Sequence, residues 1–183
     1  MTAPERIGET RLAIPTLAAG DLVLRAPLPS DFEAYAAFRG SERARVLGGP
    51  FSRAQAFDQL AEIAGHWHLR GFGRFVVADA VTGAPLGIVG PYFPEGWPEP
   101  EIAWSVFDGA EGRGIARRAA EAARAWAYAA LGWRTAISAV APGNARSRVL
   151  AERLGCRVEG RFEHPEAGIL DIWRHPSAAE LAA

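Results

Sequence analysis

The sequence has few of the groups that would hold a small chain together covalently or through a metal. Its 183 residues contain one cysteine, Cys156, so neither an internal disulfide nor a two-cysteine metal site can form. That cysteine suits a reducing compartment and reads as a buried small apolar residue rather than a nucleophile. The 4 histidines bring no spaced ligand set, so no metal is expected. Charge of one sign is lacking too: 20 Lys+Arg against 21 Asp+Glu leave a formal net charge of −1. No basic field is available for a nucleic-acid backbone. No apolar run reaches the roughly 18 residues of a membrane span. Met1–Gly8 carries Glu5 and Arg6 instead of a hydrophobic signal core. These absences point to a soluble cytoplasmic protein with neither nucleic-acid nor membrane partners.

What remains is ordinary globular composition, 49% hydrophobic and 22% charged, at a length that suits one domain. We expect an arm over 1–20, a domain over 21–176 and a frayed tail over 177–183. Within the domain, Leu22–Leu24 reads as a strand, and Ser30 or Asp31 as the cap of a helix through Phe38. A second helix starts at Ser52, with Phe57, Leu60, Ile63, Ala64 and Trp67 at helical spacing. Phe75–Asp79 and Leu86–Gly90 read as a hairpin, followed by a loop from Pro91 to Pro100 and a strand over Glu101–Phe107. Ile115–Ala130 is an alanine-rich helix with Ile115, Ala119, Ala122 and Trp126 on one face and Arg117, Arg118, Glu121 and Arg124 on the other. A strand over Thr135–Val140, a helix over Asn144–Leu154 and strands near 156–162 and 169–174 complete an α/β (α+β) plan. Its centre is a mostly antiparallel mixed sheet flanked by helices.

Two segments carry candidate chemistry. Glu111-Gly112-Arg113-Gly114-Ile115-Ala116 joins a strand to the start of the long helix. Such a turn exposes backbone N–H groups at the positive end of a helix dipole, which suits a pyrophosphate. Arg113, Arg117 and Arg118 could add charge there; the alternative is a tight turn with surface arginines. Asn144-Ala145-Arg146-Ser147 opens the later helix. Asn144 is either a helix cap or, with Ser147 one turn on, part of a ligand-facing pair. Of the histidines, His66 and His68 read as exposed helix residues, one of which could face a cleft, and His164 and His175 carry no constellation.

The order and spacing of these pieces over about residues 20–175 resemble the GNAT superfamily, in particular the branch that acetylates N-terminal alanines of ribosomal proteins. The pieces are Leu22-Val23-Leu24-Arg25, Ser30-Asp31, Thr82-Gly83-Ala84-Pro85-Leu86-Gly87, Glu101-Ile102-Ala103-Trp104, Gly112-Arg113-Gly114-Ile115-Ala116, Asn144-Ala145-Arg146-Ser147 and Leu154-Gly155-Cys156. The sequence departs from the family pattern in three places. Glu111 opens the phosphate turn where the family has Gln or Arg, Ala151 stands where many members have a tyrosine acid, and Cys156 replaces a phenylalanine.

The resemblance implies direct transfer of an acetyl group from acetyl-CoA to an amine, without a covalent enzyme intermediate. By that resemblance, the backbone of Trp104 and Val106 would pair with the pantetheine arm, and Gly112, Gly114 and Ala116 would hold the pyrophosphate, with Arg113, Arg117 and Asn144 also on the cofactor side. A strand N–H would stabilise the oxyanion. Glu101 would take the amine proton through a water, with a strand-end surface carboxylate as the alternative reading. Ser147 would hydrogen-bond the departing thiolate. Tyr92, Phe93, Glu95 and Trp97, in the loop before Glu101, are candidate acceptor contacts, or else a loop packed on its own aromatics. A peptide or protein N-terminal amine is the expected acceptor. A small-molecule amine, a non-catalytic acyl-CoA-binding module and a homodimer stay open.

Overall fold

The computed structural model describes residues 12–165 and 168–182. The strands are β1 Leu17–Ala19, β2 Leu22–Arg25, β3 Phe75–Asp79, β4 Pro85–Tyr92, β5 Glu101–Val106, β6 Ile137–Val140, β7 Arg157–His164 and β8 Gly168–Arg174. The helices are α1 Phe32–Arg39, α2 Arg53–Arg70, α3 Ile115–Ala130, α4 Ala145–Arg153 and α5 Ala178–Ala182, with 3-10 turns at Pro29–Asp31 and Glu42–Leu47. One eight-stranded sheet runs β1-β2-β3-β4-β5-β6-β8-β7. Every neighbouring pair is antiparallel except β5 and β6, which run parallel and share the single register pair Glu101 with Ile137. The expected mixed, mostly antiparallel sheet flanked by helices is what forms.

The strand alternation divides the core into two layers. Phe75, Val77, Val89 and Ile102 face one side with Trp67 and the alanines of α3; Val76, Ile88 and Phe107 face the other with Tyr35, Phe38 and Ile63 of α1 and α2. Ala119, Ala120, Ala123 and Ala127 are the buried stripe of α3, so small side chains let this helix lie close on β4 and β5. α2 opens with a capping box. Gln55 N–H donates to Ser52 Oγ at 3.2 Å and Ser52 N–H to Gln55 Oε1 at 2.9 Å.

Several expectations need correction. Part of the expected N-terminal arm is the edge strand β1, paired with β2; its first eleven residues lie outside the described residues. The expected frayed tail contains α5, whose Ser177 and Glu180 cap each other. Asp31 stands before α1 but makes no side-chain cap bond to it: its carboxylate takes both Arg25 guanidinium nitrogens at 2.8 Å and, at 2.7 Å, the Leu28 N–H that opens the preceding 3-10 turn. Phe57 and Ala64 are exposed, because α2 turns its buried stripe through Ala56, Leu60, Ile63 and Trp67. β4 runs on through Tyr92, which pairs with Glu101, so Tyr92 is a strand residue and not a loop residue.

On α3, Arg124 is buried rather than solvated. Its Nη1 donates to the Leu154 carbonyl at 2.8 Å and contacts His175 Nδ1 at 3.2 Å. His175 therefore does belong to a constellation. An arginine can only donate, so Nδ1 accepts and Nε2 carries the proton toward Ser138 Oγ, 2.9 Å away. Ser138 Oγ donates in turn to the Ile102 carbonyl at 2.7 Å. Burial and the Arg124 charge hold His175 neutral by pushing its pKa down to about 3.

Candidate active site

The place where β5 and β6 part is the centre of the site. In a continuing parallel ladder, Ala139 N–H would donate to the Ile102 carbonyl. Side chains satisfy both groups instead: Ser138 takes the carbonyl, and Ala139 N–H donates to Glu101 Oε2 at 2.9 Å. The edge of β5 beyond Glu101 is thereby left without a strand partner in the sheet. A cleft of about 1210 Å³ opens along it, lined by Trp104, Ser105 and Val106 of β5, by Gly112, Gly114, Ala116 and Arg117 at the start of α3, and by Asn144 and Ser147 of α4.

The floor at the α3 end is backbone. Gly112 and Gly114 sit at φ 72° and 71°, a left-handed conformation that glycine adopts without strain, and Gly114 is the N-cap with no side chain over the first turn. A Cβ on either glycine would meet no atom within 4 Å, so the backbone conformation rather than crowding demands glycine. Exposed N–H groups and a helix dipole here suit a diphosphate. Arg117, Arg146 and Arg153 line the cleft beside them. Arg113 is exposed and is not among the lining residues, and Arg118 turns away to pair with Asp21.

Glu111, the acid of this turn, does not stand alone. Arg43 in the 3-10 turn contacts both Glu111, at 2.8 Å, and Asp108, at 2.6 Å. No local pattern marks this partner, which lies far away in the chain.

At the α4 end, Asn144 serves as the helix cap, accepting from Ser147 N–H at 3.2 Å. Trp104 Nε1–H donates to Ser147 Oγ at 3.1 Å. The indole can only donate, so Ser147 accepts and keeps its own hydroxyl proton to give. Ala151, at the position of the missing tyrosine, is fully buried. Cys156 is also buried, and burial pushes its thiol up to about 12, which removes it as a nucleophile.

Glu101 is buried at 5% exposure, not a surface strand end. Its Oε2 accepts from Ala139 N–H and from Trp97 Nε1–H, the latter at 3.1 Å. Burial raises its pKa to about 7, and those two N–H groups and the Arg74 charge restrain the rise. A carboxylate with that pKa can hold or release a proton near neutrality.

The residues before Glu101 form a connected surface. Trp97 meets Tyr92 at 5.8 Å, Phe162 at 5.7 Å and His164 at 5.2 Å between ring centroids. A groove of about 560 Å³ lies between Glu95-Gly96 and Phe162–Pro165. Glu95 is 99% exposed on its side chain and pairs with Arg70, whose guanidinium lies 5.1 Å from the Phe93 ring centroid. His66 is buried under this segment, against expectation. Its Nε2 accepts from Phe93 N–H at 3.1 Å, its Nδ1 donates to the Phe72 carbonyl at 2.8 Å, and its ring stacks on Tyr92. Both nitrogens are used, so it braces the strand end. His68 is exposed, as expected. Among the described residues no group of three or more His, Cys, Asp or Glu could hold a metal, and no helix is long and apolar enough to cross a membrane.

Comparison with known proteins gives a consistent picture. A family profile described as the acetyltransferase (GNAT) domain matches residues 21–157. The crystal structure of an acetyltransferase from Agrobacterium tumefaciens str. C58 is 32% identical, with a TM-score of 0.82 over 92% of this chain and 98% of its own. An acetyltransferase of the GNAT family from Bacillus anthracis is 21% identical, with a TM-score of 0.69 over 88% of this chain and 96% of its own. A ribosomal-protein-S5-alanine acetyltransferase from Vibrio fischeri is 18% identical, with a TM-score of 0.68 over 91% of this chain and 99% of its own. The last two likenesses concern the fold alone.

Proposed function

The chain belongs to the GNAT acetyltransferase family and is an acetyl-CoA-dependent N-acetyltransferase; from that premise we propose that its acceptor is a peptide or protein N-terminal amine and that Glu101 takes the proton from it. The observation that carries this reading is a buried carboxylate with a pKa of about 7 at the apex of the β5–β6 fork. Only a neutral amine attacks a thioester, and a base poised near working pH removes its proton most effectively. The groove beside Trp97 gives an extended chain somewhere to lie, which favours a peptide over a small amine.

The cofactor residues follow from the cleft. The start of α3 over Gly112, Gly114 and Ala116 would receive the diphosphate, with Arg117 adding charge, and the open edge of β5 at Trp104 and Val106 would bind the pantetheine amides. Acetyl-CoA supplies the thioester carbonyl. Ser147, which accepts from the Trp104 indole, keeps its own O–H free to hydrogen-bond the departing sulfur. A thiolate is a good leaving group, with a conjugate acid near the reference value of about 8.5, so a tyrosine acid at position 151 is dispensable.

The test is release of free CoA from acetyl-CoA with a panel of N-terminal peptides and simple amines. The expected result is amine-dependent release with peptides preferred in kcat/KM. Equal or better use of simple amines would overturn the peptide assignment. Release independent of any amine would overturn the role of Glu101.

A further inference from the structure

Arg74 lies one residue before β3, on the sheet face that packs against α1 and α2, the same face as Tyr92 and Glu101. Its guanidinium carbon stands 4.4 Å from the centroid of the Tyr92 ring. The close approach is permitted by Gly90, where a Cβ would come within 3.1 Å of the Arg74 Cα. Tyr92 is the register partner of Glu101, so the arginine, the aromatic ring and the carboxylate follow one another across β3, β4 and β5. Adjacent strands lie about 4.8 Å apart, which places Arg74 roughly two strand spacings from Glu101.

The arginine is not satisfied by the protein. Its Nε is buried without a hydrogen-bond partner, and among the described residues it forms no ion pair. Buried donors without partners are uncommon and call for a specific explanation. The nearby Glu62 carboxylate is occupied by the Tyr92 hydroxyl at 3.1 Å. Arg39 reaches the same neighbourhood from α1, donates to Gln59 Oε1 at 2.6 Å and likewise has no ion pair among the described residues. Two guanidinium groups without an ion pair thus share the acceptor face with the base, and the nearby Glu62 carboxylate touches neither of them directly. The buried Arg74 Nε in particular still lacks an acceptor, which a bound anion would supply.

We propose that the acceptor amine carries a carboxylate and that Arg74 is the group that receives it, holding the amine toward Glu101. This rests on the reading of Glu101 as the base. The carboxylate can come from a free α-amino acid or from an acidic residue next to the N-terminus of a peptide. Both place the anion a few bonds from the amine, as the spacing across two strands requires. Arg74 then sets specificity, and Tyr92 holds its guanidinium plane in place.

The experiment compares L-alanine with L-alaninamide, and Ala-Asp-amide with Ala-Asn-amide. Binding is followed by calorimetry on the CoA-loaded protein, and turnover by CoA release. A charge-assisted contact predicts acids binding about 10- to 100-fold more tightly than their amides. Arg74→Gln should erase that preference, Arg74→Lys should keep part of it, and acetyl-CoA affinity should not change in either. Preference within the alanine pair identifies a free amino acid, and preference within the dipeptide pair an acidic peptide. Equal binding of acid and amide by the unaltered protein, which needs no variant, would overturn the proposal. So would binding of none of the four, or a uniform loss for acids and amides alike in Arg74→Gln. Failure of the transfer reading looks different: bound amines without acetylated product.

Discussion

The two ends of the site are built from different materials. At the α3 end the cleft is backbone, with left-handed glycines and an uncapped helix start whose donors need no particular side chain. At the β4–β5 end the surface is side chains brought from distant parts of the chain: Arg39 on α1, His66 on α2, Arg74 before β3, Tyr92 on β4, Trp97 in the loop and Phe162 on β7. Backbone donors at a helix start can hold any diphosphate, so they suit the part of the substrate that never varies. The side-chain end can be altered one residue at a time without disturbing the helix. Specificity and proton chemistry should therefore reside there, and cofactor affinity at the other end.

Substitutions at the two ends should separate those properties. The largest effect is expected from Glu101→Gln, which should lower kcat by about 100- to 10,000-fold, the usual span of general-base contributions. Calorimetric acetyl-CoA affinity should hold, because Gln keeps an oxygen for Ala139 N–H and Trp97 Nε1–H. Loss of cofactor binding in that variant would dissolve the distinction between the ends. Next comes Gly114→Val at the backbone end. A β-branched residue at φ 71° is strained by on the order of 1–3 kcal/mol and would cover the helix start. Acetyl-CoA affinity should fall by at least about tenfold, since each 1.4 kcal/mol is a factor of ten, while the ranking of acceptors stays the same.

Ser147→Ala should be milder. Losing one neutral hydrogen bond is worth about 1 kcal/mol, or several-fold in kcat. A separate effect is on stability rather than rate. The folded-state pKa of Glu101 lies above its unfolded value, so the folded protein holds that proton more tightly. The group's favourable contribution is present while the carboxyl is protonated and is lost as pH rises from about 4.5 toward about 7. In urea melts, Glu101→Gln should lose that part of the pH dependence, leaving the variant relatively more stable at pH 8 than at pH 5. An identical pH trend in both proteins would place the Glu101 pKa near its ordinary value.

The same division explains what could be read from the sequence. The glycine turn, the alanine-rich helix and the Asn144–Ser147 start are local patterns, with every contributing residue within a few positions, and all three border the one cleft. Glu101 was legible from its strand, although its burial was not, because the burying groups Trp97 and Ala139 meet it only through the sheet. Arg43, which pairs with the unexpected Glu111, lies on a 3-10 turn with no sequence signature. Arg124 and His175 were misread because helical periodicity puts an arginine on a polar face, while a buried chain to Ser138 and the Ile102 carbonyl pulls this one inward. Arg74 has no local pattern at all; only the register of β3, β4 and β5 brings it over Tyr92.

The central claim is that a carboxylate with a near-neutral pKa at the opening of the β5–β6 fork deprotonates the acceptor. Its most direct test is the pH dependence of kcat from pH 5 to 9 for the unaltered protein and for Glu101→Gln, at saturating acetyl-CoA and acceptor. The base must be ionised to act, so kcat should rise with pH and level off with an inflection near 7, and the Gln variant should lack that inflection. The same inflection in both proteins, or a Gln variant with undiminished kcat, would contradict the account.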